Sequence, residues 1–342
     1  MLLRAEPAQH VLLTGAGFTH NFGGFLAEQF WVELLNQPAV GQNPKLLSLL
    51  KKDFDFEAIY THILESDKYS QDLKDAMRQS TWNVFREMHG RLQDWNPDNP
   101  SYPVDGSQLD QFLKKFLARP KSSAFMFTLN QDLFLEIRGC GFDADARIPG
   151  VDPPSGDRWF GQGGQPPASV RVERAAIVSD DEETIKRHFV QSSGCYVKLH
   201  GSCNWYYPDG TGRMLLGYGK SKQWKEDPLF NIYRQVFEEV LQHKNRKLLV
   251  IGYSFRDKHI NEALIRAVPH GLKLYILDPT PPRIFKDRLF QNVTDKGLKA
   301  TAIWNSIVGY FPYRFRDLFP FPVAKSPSPA VKQILRSLDV EQ

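Results

Sequence analysis

Four short apolar runs along the chain each end in small or polar residues. The runs end at Gly15–Gly17, Asn130–Asp132, His200–Ser202 and Gly252–Ser254. An apolar run that stops at a turn is typical of a strand buried inside a parallel sheet. Ligands of α/β proteins bind at the carboxyl ends of such strands. The pattern therefore predicts one nucleotide-binding crevice lined by these four turns.

Between these runs the apolar positions recur at spacings of three and four. Such spacing predicts a helix after the first turn and a mostly helical insertion over about 42–118. Gly, Pro and Asp dominate about 141–170, which predicts a long irregular loop. We expect the cluster Pro279–Pro282 to end the sheet. The prediction is an α/β fold with a parallel sheet and helices on both faces. We expect one domain over 1–280 and a C-terminal extension over 281–342.

The composition and the net charge of the chain do not select one class of ligand. Hydrophobic residues make up 42% of the 342 residues and charged residues 24%, as in ordinary globular proteins. With 43 Lys and Arg against 39 Asp and Glu, the net charge is +4. That balance permits an acidic or polyphosphate ligand, and nucleic-acid binding is not evident because no long basic cluster is present.

The sequence also bears on location and metal chemistry. No apolar stretch approaches the roughly 18–20 residues that a membrane span needs, and no secretory signal is visible, so we expect a cytoplasmic protein. The three cysteines, Cys140, Cys195 and Cys203, are sparse and odd in number, which fits a reducing compartment. No C-x-x-C pair exists, so a four-thiolate zinc site within one chain is excluded.

The first turn, Gly15-Ala16-Gly17, has the composition of a phosphate-binding turn. Glycines between a strand and a helix let backbone N–H groups approach a pyrophosphate, and the helix N-terminus favours negative charge. The spacing is neither G-x-G-x-x-G nor a Walker loop. A tight turn without a ligand is the alternative.

The next two turns carry side chains suited to catalysis. Asn130 can orient a ribose hydroxyl or a water, and Asp132 can accept a hydrogen bond from an amide N–H. Turn and helix-capping roles explain the same residues equally well. We expect a histidine at this turn to titrate near neutral pH, which makes His200 a candidate general base, whereas a core or capping histidine is the alternative.

The last strand ends offer further ligand contacts. Gly252 and Ser254 place a small residue and a hydroxyl after a strand, and Asp278 follows the next strand. Asp278 can bind a ribose or cap a turn. A plain turn between strand and helix remains the alternative for Gly252 and Ser254.

In this order, Gly-Ala-Gly-Phe-Thr, Thr-Leu-Asn-Gln-Asp, Lys-Leu-His-Gly-Ser-Cys-Asn-Trp and Ile-Gly-Tyr-Ser-Phe-Arg-Asp resemble the sirtuin superfamily. More narrowly, they look like the bacterial sirtuin-like domains of anti-phage defence systems. The resemblance implies a Rossmann-like fold that binds NAD, with the pyrophosphate at the turn Gly15–Gly17, which includes Ala16. Thr19 stands where the pattern usually has Ser, which still leaves a hydroxyl.

The resemblance also implies roles for the other turns. Asn130 and Asp132 would surround the nicotinamide ribose and the carboxamide, and His200 would be the base. The residues implied to hold the adenosine half are Gly252, Ser254, Asn261 and Asp278.

Protein-deacylating sirtuins carry a zinc module with two cysteine pairs, and this sequence has no such pairs. The resemblance therefore favours an NAD hydrolase without zinc or another metal, which releases nicotinamide and ADP-ribose as the effector of a defence system. A protein deacylase and a non-catalytic module that binds NAD or ADP-ribose are the alternatives. We expect a homo-oligomer and a separately encoded partner, such as an ATPase or a nucleotide-processing enzyme. The candidate contact surfaces are about 42–118 and the C-terminal segment.

Overall fold

The computed structural model describes residues 8–96, 98, 101–117, 124–138, 146–152, 174–217, 220–293, 298–322 and 327–340. Most of the predicted irregular loop at 141–170, and Cys140, lie outside these ranges.

A seven-stranded parallel sheet forms the centre of the molecule, in the order β11-β10-β9-β1-β2-β6-β3. The strands are β1 (His10–Thr14), β2 (Ala124–Thr128), β3 (Ala146–Arg147), β6 (Gly194–Lys198), β9 (Lys247–Ile251), β10 (Lys273–Leu277) and β11 (Ile307–Phe311). Every residue of β1, β2, β6 and β9 is buried, as expected for inner strands covered on both faces. With its flanking helices, this is the predicted α/β Rossmann-like fold.

A second, four-stranded sheet was not expected from the sequence. Its strands, in the order β4-β5-β7-β8, are β4 (Val151–Asp152), β5 (Ala176–Val178), β7 (Gly201–Tyr206) and β8 (Gly212–Met214). Strand β7 begins directly after His200, where Gly201 has a φ of 73°. The positive φ, which glycine adopts without strain, lets the chain reverse at His200 and leave the main sheet.

Helices occupy the region in which helical spacing was seen. After α1 (Ala16–His20) and α2 (Ala27–Leu35), the helical insertion comprises α3 (Pro38–Gly41), α4 (Pro44–Leu50), α5 (Phe56–Glu65), α6 (Gln71–Gln93) and α7 (Gly106–Leu117). Asp55 and Ser70 cap the N-termini of α5 and α6 through their side chains.

The later helices alternate with strands. They are α8 (Phe134–Arg138), α9 (Glu182–Gln191), α10 (Lys220–Glu226), α11 (Pro228–Gln242), α12 (Lys258–Ala267), the short 3-10 helix Val268–His270, α13 (Pro282–Asn292), α14 (Leu298–Ser306), α15 (Phe315–Leu318) and α16 (Pro329–Ser337). Across the described ranges, the longest and most apolar helices fall short of what a membrane crossing requires.

The sheet does not end at Pro279–Pro282, so that expectation was wrong. Pro282 starts α13, a position where its fixed φ and missing N–H cost nothing. The chain then returns through α14 and adds β11 parallel to β10. The segment after residue 280 therefore supplies an edge strand of the main sheet.

Candidate active site

The turns after β1 and β9 are in direct backbone contact. The N–H of Gly15 donates to the carbonyl of Ile251, and the N–H of Gly17 donates to that of Gly252, both at 2.9 Å. A Cβ at Gly17 would lie 2.8 Å from the Cα of Gly252, which itself has a φ of 65°. The glycines are therefore required by the approach of these two turns. Ala16 is the exposed residue of the first turn.

Three predicted site residues converge beside this turn. The Nδ2 of Asn130 donates to the carbonyl of Gly15 at 3.1 Å and to Oγ1 of Thr19 at 3.3 Å. Thr19 also hydrogen-bonds the side chain of Asp132. Because its Nδ2 is engaged, Asn130 can meet a ligand through its amide oxygen Oδ1. We call this set, Thr19, Asn130 and Asp132, the amide cluster.

Asp132 has the capping role that the sequence offered as the alternative, and its role toward the carboxamide stays a prediction. Its Oδ1 accepts from the N–H of Phe134 at 3.0 Å, so it caps the start of α8. Burial raises the pKa of Asp132, and the nearby positive charge of Lys198 opposes this rise. The carboxyl group thus lies in a desolvated setting beside the amide of Asn130.

A buried ion pair next to the amide cluster helps to hold it in place. Lys198 Nζ lies 2.6 Å from Glu136 Oε1, with both side chains 0% exposed. Lys198 also donates to the backbone carbonyl of Asp132. Sequence reasoning missed this pair, although a lysine at the end of an otherwise apolar strand was a visible clue.

His200 lies at the end of β6 and is 2% exposed. Its Nε2 is 3.0 Å from Nε2 of His259 and 3.8 Å from Oδ1 of Asp257. Burial lowers the pKa of His200 well below its usual value, against the opposing effect of Asp257. A neutral imidazole, the form that can accept a proton, is therefore the resting form at neutral pH.

Hydrogen bonds connect His200 to the amide cluster. The His200 ring bonds the backbone of Leu129, the residue before Asn130. The carbonyl of Gln131 accepts from Oγ of Ser202 at 3.1 Å and from the N–H of Cys203 at 3.0 Å. The two turns that carry Asn130 and His200 are thus held side by side at the carboxyl edge of β2 and β6.

Four residues around His200 were not predicted. Lys220 Nζ lies 3.3 Å from Asp257 Oδ1 and 2.7 Å from Glu57 Oε2 of the helical insertion. Burial lowers the pKa of His259 to about 4. Burial would raise the pKa of Asp257, but Lys220 and the two histidines together outweigh burial and keep the pKa of this carboxyl below its usual range. We call His200, His259, Asp257, Lys220 and Glu57 the histidine cluster.

The sequence pattern indicates only two of these four residues. Asp257 and His259 follow the Gly252 turn at the start of a helical pattern. Their approach to His200 depends on the fold, since 59 residues separate the two histidines in the chain.

The predicted adenosine contacts have partners within the protein. Asn261 accepts from the hydroxyl of Tyr253 at 3.0 Å and donates to the carbonyl of Phe255 at 2.8 Å, where φ is 60°. Asp278 accepts from the N–H of Thr280 and pairs with Arg288 at 2.5 Å. These bonds brace the turns after β9 and β10, and a role toward adenosine stays a prediction.

Ser254 follows the same turn after β9. It is half-buried, and its carbonyl accepts from Nδ2 of Asn292 at 2.7 Å. Its role toward adenosine also stays a prediction.

The described cysteines, Cys195 and Cys203, are buried free thiols, and burial raises the pKa of each to about 12. Their thiols are therefore protonated and poor metal ligands. Within the described ranges, His200, Asp257 and His259 are the group whose atoms lie close enough to hold a metal ion, all within 4.8 Å. The expected absence of zinc stays a prediction.

A parallel sheet whose carboxyl edge gathers a glycine turn, an amide cluster and a buried histidine is the architecture of a Rossmann-like domain. Comparison with known protein families matches residues 124–293 to the SIR2-like domain. The chain therefore carries a sirtuin-like domain. SIR2-like domains use NAD, so this match indicates an NAD-related activity.

The matched segment starts at β2, so it includes Asn130, His200 and the turn after β9, while β1 and the helical insertion precede it. Comparison with curated proteins found no match.

Proposed function

We propose that the protein is an NAD glycohydrolase, which converts NAD⁺ and water to nicotinamide and ADP-ribose. The observation that carries this proposal is the neutral, buried imidazole of His200 held beside Asn130 at the carboxyl edge of a sirtuin-like domain. The turn around Ala16 lies at the same edge, where it would receive the pyrophosphate.

The proposed reaction requires the protein to position the substrate and to supply one general base. Cleavage of the bond between nicotinamide and ribose passes through an oxocarbenium-like state, as in glycoside hydrolysis. Nicotinamide leaves as a neutral base, so a strong general acid is not needed. Asn130 would hold a ribose hydroxyl or the water through Oδ1, Asp132 would accept from the carboxamide, and His200 would take the proton of the nucleophile.

We further propose that this activity serves anti-phage defence by depleting NAD. An unrestrained NAD hydrolase would exhaust its own cell, so a trigger must control it. Assembly into a homo-oligomer, or a separately encoded ATPase or nucleotide-processing subunit, would supply that trigger. The helical insertion and the C-terminal segment are the proposed contact surfaces.

Incubation of the purified chain with NAD⁺, with and without an acylated peptide, tests the proposed reaction. Chromatography should show nicotinamide and ADP-ribose in equal amounts without peptide. Release that requires the peptide would establish a deacylase instead. Tight NAD binding without turnover, alone and with a co-encoded subunit, would leave a non-catalytic binding module.

A further inference from the structure

Both ring nitrogens of His200 are engaged inside the protein. Nε2 lies 3.0 Å from Nε2 of His259. The ring also forms a hydrogen bond with the backbone of Leu129. Because Nε2 faces His259, Nδ1 is the nitrogen that makes this second bond. A general base needs a free nitrogen within about 2.6–3.2 Å of the proton that it removes. At 2% exposure, His200 offers no free nitrogen to a water or a ribose hydroxyl.

We propose that His259 is an autoinhibitory cap on His200, and that the base becomes reactive only when the start of α12 moves away. The inference rests on the proposed function for its consequence in catalysis. The cap itself is a statement about the contact between two imidazoles, and it can be measured without NAD.

The residues around His259 form a clamp that holds this cap in place. Asp257, two residues before His259, pairs with Lys220 of α10, and Lys220 pairs with Glu57 of α5. The Lys220 side chain is only 8% exposed, so water screens these pairs weakly. The clamp therefore ties the start of α12 to the helical insertion.

The segment before α12 contains two residues with left-handed backbone. Gly252 has a φ of 65° and Phe255 a φ of 60°. A non-glycine residue in this region costs free energy, which the bonds from Asn261 to the segment offset. Loss of the clamp would leave this segment with less support, and movement there would carry His259 away from His200.

A metal ion bound by His200, His259 and Asp257 is the competing explanation for their closeness. The geometry of Lys220 argues against it, because its ammonium group lies 3.3 Å from Asp257 Oδ1, the atom that also faces His200. A dication at that oxygen would meet a fixed positive charge. The hydrogen-bonded pair of neutral imidazoles needs no such compensation.

Labelling of histidine by diethyl pyrocarbonate, read by mass spectrometry of the full chain, tests the cap directly. We expect slow labelling of His200 in the native protein and labelling about tenfold faster in His259→Ala, the effect of one lost hydrogen bond. Glu57→Gln should give a smaller increase. Glu65→Gln, the same charge change at an exposed position of the same helix, is the matched control and should label as the native chain.

NAD turnover of the same variants links the cap to catalysis. His259→Ala should raise kcat/KM about tenfold, and His200→Ala/His259→Ala should be inactive. Equal labelling of His200 in native protein and in both variants would overturn the cap, as would a loss of turnover in a folded His259→Ala. One zinc per native chain that is lost in His259→Ala would also overturn it in favour of a metal site.

Faster labelling of His200 without NAD cleavage by any variant would support the cap and contradict the proposed function. If His259→Ala fails to fold, Glu57→Gln carries the test, because Glu57 lies on the helical insertion outside the sheet.

Discussion

The amide cluster and the histidine cluster lie at the same edge of the sheet but are held in different ways. Hydrogen bonds between adjacent turns hold Asn130 and Thr19, and the ion pair beside them, Lys198 with Glu136, is fully buried. The histidine cluster depends on the ion pairs of Lys220, which link α5, α10 and the start of α12. We infer that the amide cluster is a fixed platform and that the histidine cluster is the part of the site that can change its conformation.

Removal of Lys198 from its buried ion pair with Glu136 should have the largest effect on the amide cluster. Lys198→Met should leave Glu136 buried without its partner and cost about 3–5 kcal/mol of the free energy of unfolding. Lys186→Met, which removes the exposed pairs with Glu182 and Glu183, should have a much smaller effect on the free energy of unfolding, because water screens exposed pairs. Urea unfolding of both variants checks the contrast. Equal small losses would show that the buried pair does not support the platform.

Acid should weaken the histidine cluster. His259 has a pKa of about 4 in the folded protein, below its ordinary value of 6.5, so the unfolded chain binds its proton first as pH falls. Stability is therefore full above about pH 6.5 and declines towards pH 4, by on the order of 3 kcal/mol.

Urea unfolding at pH 7, 5 and 4 measures this decline, and His259→Gln should reduce it. A native chain whose stability stays flat over this range would contradict the buried, neutral state of the histidine pair.

Asn130→Ala sharpens the comparison at the amide cluster. Turnover should fall by about 10²-fold, because the ribose or the water loses its orienting group. NAD should still bind, since the turn around Ala16 is retained. Kinetics and calorimetric titration with NAD⁺ separate the two effects. If NAD binding and the melting temperature fall together, Asn130 is a structural tie between β1 and β2.

Local patterns predicted most of the strand ends that build the site. The turns at Gly15, Asn130, His200 and Gly252 all lie at the carboxyl edge of the main sheet, because an apolar run and the turn that ends it are neighbours in sequence. The order of the strands then brings the turns together.

The remaining features depend on contacts that periodicity does not encode. Glu57 meets Lys220 across 163 positions of the chain, and Lys198 meets Glu136 across 62. The second sheet depends on the reversal at Gly201, and β11 follows a proline cluster that normally marks an end. Each of these needs the tertiary structure to be known first.

The most direct test of the central claim compares NAD⁺ cleavage by the native chain, His200→Ala and His270→Ala, the last being an exposed histidine after α12. We predict that His200→Ala remains folded and loses about 10²–10⁴-fold in kcat, the usual cost of a general base, while His270→Ala keeps native turnover. Native turnover in a folded His200→Ala protein would contradict the account.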